Sequence, residues 1–175
     1  MGSGIAHGGS STARLFVALW PDPAVRARLA AQRDALGLPP NARPVADANL
    51  HLTLHFLGPV EGDRIASVWD ALSRVGPRPM TLAASGWALW NAGTLVLRMQ
   101  GDAALAALHE DLAVALRACG VPVDTRPFAP HVTLARAAPA VTLPRPSPLD
   151  WRPTGFALVE SGGRSGPGYR VLATR

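Results

Sequence analysis

Two stretches of the chain, Leu50-His51-Leu52-Thr53-Leu54 and Pro130-His131-Val132-Thr133-Leu134, each set one imidazole and one hydroxyl two residues apart within an apolar run. In an extended strand that spacing puts both polar side chains on one face. With 5 His in 175 residues, chance placement gives only about a quarter of one His-x-Thr triplet, so two copies on strand-like frames are a strong signal. A histidine titrates near neutral pH, and a facing pair can hold one neutral member as general base and one protonated member as general acid. Opening a phosphodiester needs that division: one imidazole takes a proton from the attacking water and the other gives one to the departing sugar oxygen. Thr53 and Thr133 are placed to donate to the charge that builds on the non-bridging phosphate oxygens. A lone strand Thr is more often present for its β-branched shape, and a lone strand His is more often a satisfied interior residue. The symmetric set of four reverses that reading. A zinc site, the other use of paired histidines, would want a third ligand, and no carboxylate or cysteine stands at recognisable spacing.

The elements that must position these residues follow from pattern and punctuation. Arg14 to Trp20 reads as a buried strand, and Asp22-Pro23 as the cap and first turn of a helix running to about Leu36, stopped by Gly37 and Pro39-Pro40. A short strand over Arg43 to Ala46 precedes the first motif strand, His51 to Leu57, which is expected to end at Gly58-Pro59. A helix from Asp63 carries Ile65, Val68, Trp69, Leu72 and Val75 on one stripe. Met80 to Leu89 and Thr94 to Gln100 form a hairpin around Trp90-Asn91-Ala92-Gly93, and Asp102 caps a helix whose Leu105, Leu108, Leu112 and Leu116 face the core. The second motif strand starts near His131. Ala137 to Pro153, with five prolines, reads as a surface loop, and strands over Phe156 to Glu160 and Tyr169 to Ala173 complete the set. The fold class is α+β with largely antiparallel sheets. One His-x-Thr strand per half suggests two lobes, and histidines 80 residues apart can meet only in a cleft between them.

Composition narrows the chemistry. All 17 basic residues are Arg, and the net charge is +5. A chain without lysine makes no lysyl-adenylate, Schiff base or P-loop lysine contact. Arginine remains suited to phosphate through its planar fork. The single Cys119 forms no internal disulfide and suits a helix end, which agrees with a reducing, cytoplasmic setting. No apolar run approaches the roughly 18 to 20 residues of a membrane span, and no secretory signal pattern opens the chain. Residues 1–12, Gly/Ser-rich, read as a flexible leader or tag remnant, with His7 discounted, ahead of a single domain over 13–175.

His51-Leu52-Thr53-Leu54 and His131-Val132-Thr133-Leu134 resemble the paired HxTx signatures of the 2H phosphoesterase superfamily. Arg14 to Leu19, Leu50 to Gly58, Arg126 to Arg136 and Leu158 to Ser161 resemble the RNA 2′,3′-cyclic phosphodiesterases, formerly called 2′-5′ RNA ligases, and the resemblance covers about Arg14 to Ala173. It implies a bilobal, pseudo-twofold arrangement of two mostly antiparallel sheets flanked by helices, with the active-site cleft between the lobes. It also implies metal-free hydrolysis of an RNA 2′,3′-cyclic phosphate to a 2′-phosphomonoester. No cofactor, no membrane and no obligate protein partner are expected, and the chain is read as a monomer. In that reading His51 is the proton donor, His131 the proton acceptor, and Thr53 and Thr133 bind the phosphate. Arg136 matches the family's closing arginine, although strict alternation from His131 sends it to the opposite face, so a bulge is needed to bring it in. His55 stands where the family often has Arg or Lys, and alternation puts it on the face of His51 and Thr53 as a further phosphate contact. Phe56, Phe128, Trp87, Trp90, Trp151 and Tyr169 are candidates by type for stacking on a base. The same four residues could also process 2′-5′-linked oligonucleotides or nucleotide cyclic phosphates, or the cleft could bind RNA ends without turnover.

Overall fold

Strand β1 (Thr12–Leu19) is apolar on both faces. Leu15, Val17 and Leu19 enter the main core, whereas Phe16 and Ala18 join a smaller cluster with Ala157, Val159, Trp20 and Tyr169. A strand buried on both sides reads as a continuous apolar run, and this one separates the helix-covered face of the sheet from the face that holds the histidines. The computed structural model describes residues 11–140, 142–162 and 168–175. The leader expected over 1–12 therefore falls outside the described residues as far as Ser10, and Thr12 already belongs to β1.

Helix α1 (Pro23–Asp34) starts where expected: Asp22 Oδ1 accepts the Ala24 and Val25 N–H groups at 2.8 and 2.9 Å. Asp102 caps α3 (Ala103–Ala118) in the same way, and a cap of this kind is worth about 1 kcal/mol. The α3 stripe Leu105, Leu108, Leu112 and Leu116 is fully buried, as are Val68 and Leu72 of α2 (Ile65–Ser73). All three helices contribute to the main core together with Leu52 and Leu54, the inward neighbours of His51 and Thr53.

The remaining strands are β2 (Arg43–Pro44), β3 (Leu52–Glu61), β4 (Leu82–Trp90), β5 (Thr94–Gly101), β6 (His131–Arg136), β7 (Asp150–Trp151), β8 (Ala157–Ser161) and β9 (Tyr169–Thr174). Every pairing among the described residues is antiparallel, in the order β7-β4-β5-β6-β3-β1-β8-β9, with β2 added to β6. The two halves, β7-β4-β5-β6 and β3-β1-β8-β9, meet through one residue pair, Leu52↔Val132. The two expected sheets thus run into each other at the motif strands and diverge on either side.

Several boundaries shift by one or two residues, and two differences from the sequence reading are larger. β3 does not stop at Gly58-Pro59: Gly58 adopts φ +72° and the strand continues, with Pro59 paired to Arg14. Proline is tolerated there because β3 pairs with β6 only at Leu52, so the missing N–H breaks no ladder on that side. The stretch read as a loop over Ala137 to Pro153 contains β7, which buries Trp151 to 1% exposure against β4. Its proline content hid a two-residue edge strand.

Candidate active site

The pair Leu52↔Val132 is the centre of the site. Counting one residue each way along antiparallel strands sets His51 across from Thr133 and Thr53 across from His131. The two histidines stand on one diagonal and the two threonines on the other, and diagonal neighbours in a regular ladder are roughly 7–8 Å apart with their Cβ atoms somewhat closer. All four side chains line one cleft of about 610 Å³.

Each imidazole is held the same way. His51 Nδ1 donates to the Asn49 carbonyl at 2.6 Å, and His131 Nδ1 donates to the Ala129 carbonyl at 2.7 Å. In both cases the acceptor lies two residues upstream, which fixes the tautomer and leaves Nε2 as the reactive nitrogen. His51 Nε2 also meets Thr53 Oγ1 at 3.1 Å, so in the neutral ring the threonine hydroxyl donates to it. Arg33 of α1 bonds the Val45 carbonyl and Asp47, at 2.8 Å for the latter, and so ties down the segment that delivers the Asn49 carbonyl.

The surroundings are unequal. The His51 ring stacks on Trp20 at 5.3 Å and 9°, and Phe16 and Tyr169 close on it at 4.9 and 5.0 Å. Burial in this aromatic box pushes its pKa down to about 4, with the nearby His131 and Arg136 lowering it further against the Asn49 hydrogen bond. His131 packs edge-to-face with Trp90 at 4.4 Å, and burial lowers its pKa as well.

Beyond each threonine the ladder slips. β1 pairs Ala18↔Thr53 and then Val17↔His55, leaving Leu54 as an extra residue; β5 pairs Val96↔Thr133 and then Leu95↔Ala135, leaving Leu134 as one. A bulge reverses the alternation beyond it. On β6 it delivers Arg136 to the cleft lining, as needed, and buries Ala135 instead. On β3 it overturns the expectation for His55. That ring is 4% exposed and absent from the cleft lining, and its Nε2 donates to the His109 carbonyl at 2.8 Å. His55 stacks on His109, which stacks on Phe128, at 4.1 and 4.0 Å. The cleft position goes to Phe56, 66% exposed.

Of the other aromatic candidates, Tyr169 lines the main cleft, while Trp90 and Phe128 line a second cavity of about 230 Å³. Thr53, Phe56 and His131 border both cavities. Trp151 is core, and Trp87 packs on the core with Nε1 donating to the Pro144 carbonyl at 2.7 Å. Sequence reasoning missed Arg14, Arg43 and the Asn49 and Ala129 carbonyls. The pairing of Arg43 beside the motif strand could have been sought from the short strand; a backbone carbonyl leaves no mark in residue type. Among the described residues, no carboxylate lines the cleft.

A family model described as the 2′-5′ RNA ligase superfamily matches residues 20–163. The chain is 36% identical over 155 residues to an RNA 2′,3′-cyclic phosphodiesterase of Escherichia coli strain K12, covering 86% of this chain and 85% of the relative. An RNA 2′,3′-cyclic phosphodiesterase of Thermus thermophilus is 34% identical, with 91% and 87% covered. The crystal structure of E. coli LigT complexed with 3′-AMP superposes with a TM-score of 0.82 at 30% identity, covering 94% of this chain and 98% of that one.

Proposed function

The chain belongs to the 2′-5′ RNA ligase superfamily, and from that premise we propose that it hydrolyses RNA 2′,3′-cyclic phosphate ends to 2′-phosphomonoesters, without a metal, through His51 and His131. The observation that carries the reading is the pair of imidazoles, each with Nδ1 tied to a carbonyl so that Nε2 is left for proton transfer, on one cleft with two threonines, Arg136 and no carboxylate among the described residues. The names of the relatives support the same substrate class.

In the proposed reaction His131 Nε2 takes a proton from water as its oxygen attacks phosphorus. The bond from phosphorus to the 3′ oxygen breaks, and His51 Nε2–H gives that oxygen its proton, leaving a 2′-phosphate and a 3′-hydroxyl. The hydroxyls of Thr53 and Thr133 and the Arg136 guanidinium donate to the non-bridging oxygens as their charge grows. On its own, the buried His51 is hard to protonate. The anionic phosphate, once beside it, favours the charged ring, so substrate binding itself arms the acid. Family resemblance assigns the two roles, and the box around His51 makes them depend on the bound phosphate.

The test is an oligoribonucleotide ending in a 2′,3′-cyclic phosphate, incubated with excess EDTA. The expected product is the 2′-phosphomonoester, formed by the parent protein and lost in His51→Ala and His131→Ala. Unchanged turnover in both variants overturns the reading, and tight binding with intact RNA recovered makes the chain an RNA-end binding protein.

A further inference from the structure

The cleft is more cationic than one cyclic phosphate requires. Its charged lining residues are Arg14, Arg43 and Arg136, and none of the three takes part in an ion pair among the described residues. Arg43 and Arg136 are direct cross-strand partners in the β2–β6 pairing. Directly opposed residues share a face, and like charges there destabilise the ladder. Two guanidinium groups set against each other, with no carboxylate among the described lining residues, make a site that an anion would relieve. A cyclic phosphate diester brings a single negative charge. Arg136, whose charge acts on His51, is matched to it, which leaves Arg14 and Arg43 without a counter-charge, and of these two Arg43 is the one set directly against Arg136.

The shape of the site says where further charge would come from. The second cavity, past Phe56 and His131, carries the rings of Trp90, Phe128 and His109 and suits a base, and its one arginine, Arg126, is already paired with Asp124 in the same lining. The base and the preceding phosphodiester leave a terminal ribose in different directions. With the aromatic exit, its charges internally paired, on the β3 and Trp90 side, the unpaired cationic β2 side is left for the chain. We propose that Arg43 holds the phosphodiester on the 5′ side of the terminal nucleotide, so that the site selects an oligonucleotide end over a mononucleoside 2′,3′-cyclic phosphate. This rests on the cyclic phosphodiesterase reading above and names the residue that distinguishes a polymer end from a free nucleotide.

Steady-state kinetics on three substrates test it: adenosine 2′,3′-cyclic phosphate, the dinucleotide ApA ending in the same cyclic phosphate, and that dinucleotide with a neutral methylphosphonate linkage. A charge-assisted contact predicts that kcat/KM of the charged dinucleotide exceeds that of both others by about tenfold, mostly through KM. Arg43→Gln should remove that advantage and leave the methylphosphonate dinucleotide close to its parent value, and Arg43→Lys should retain part of the advantage. Equal rates on the charged and neutral dinucleotides in the parent protein overturn the proposal without any variant. So does an Arg43→Gln that slows all three substrates alike, because Arg43 would then act on the reacting phosphate or on the fold. Failure to hydrolyse any of the three overturns the cyclic phosphodiesterase reading and this inference with it, whereas hydrolysis of all three at one rate overturns this inference alone.

Discussion

Just ahead of β3 the ring of His51 lies against Trp20, Phe16 and Tyr169, whereas at the start of β6 the ring of His131 packs edge-to-face with Trp90. The backbones of the two strands nevertheless do the same things in the same order. A carbonyl two residues upstream fixes each tautomer, a threonine follows on the cleft face, and a bulge at Leu54 or Leu134 reverses the alternation beyond it. After the bulge the strands part again, with Phe56 reaching the cleft on one and Arg136 on the other. Symmetry of the chain path supplies the geometry of the site, and the neighbouring side chains supply its asymmetry. A reaction that needs one protonated and one neutral imidazole at the same moment depends on the second as much as on the first.

The largest effects should come from the histidines themselves. Replacing either with Ala is expected to lower kcat by about 10²–10⁴, measured on a cyclic-phosphate oligonucleotide. A substrate whose 3′ leaving oxygen is replaced by sulfur needs little help from an acid. It should restore most of the activity of His51→Ala and almost none of that of His131→Ala. Equal restoration of both variants breaks the assignment of opposite roles, and the reverse pattern exchanges them.

The parts of this comparison that the sequence carried are those with a periodic or punctuated signal. His51, Thr53, His131 and Thr133 could be placed on one face by period 2, and α1 and α3 could be started from Asp22 and Asp102. His55 was misplaced because a bulge adds one residue without changing the apolar pattern: Leu54 and His55 are both buried, and nothing in a run of Leu-His-Phe-Leu marks the slip. Arg136 was recovered only by asking for that same slip in the other strand. β7 was invisible because two residues between prolines carry no period. The like-charged Arg43 and Arg136 are 93 positions apart in sequence, and only the pairing of β2 with β6 brings them together.

The residues beyond the bulges should give intermediate effects of different kinds. Arg136→Met removes a charge-assisted donor from the phosphate and is expected to lower kcat/KM by about 10- to 100-fold. Phe56→Ala removes an exposed ring at the junction of the two cavities and should raise KM by about 3- to 10-fold, with kcat nearly unchanged. If the two substitutions give the same pattern of kcat and KM, the strands do not divide phosphate and base contacts between them. Because Arg136 helps to hold the pKa of His51 down, Arg136→Met should also move the pH optimum of kcat/KM upward.

The smallest expected effect separates the histidines without any substrate. The pKa of His51 is about 4 in the folded protein, against 6.5 for a free imidazole, so the unfolded chain binds the proton more readily. Its contribution to stability is therefore complete above pH 6.5 and is lost progressively as the pH falls from 6.5 toward 4. By pH 5 that loss is about 2 kcal/mol, which corresponds to a decrease in Tm of roughly 5 °C for a chain of this size. His51→Gln, which cannot titrate, should remove that increment from the acid-induced fall in Tm, and His131→Gln should remove less of it. Inorganic phosphate, seated between the rings, should favour their charged forms and oppose the fall in the parent protein. For catalysis the same shifts place both macroscopic pKa values of the free pair below 6.5. The kcat/KM profile should then peak on the acid side of that value, and kcat, read with the anionic substrate bound, should peak at a higher pH. Coincident optima would mean that the bound phosphate does not arm the buried histidine.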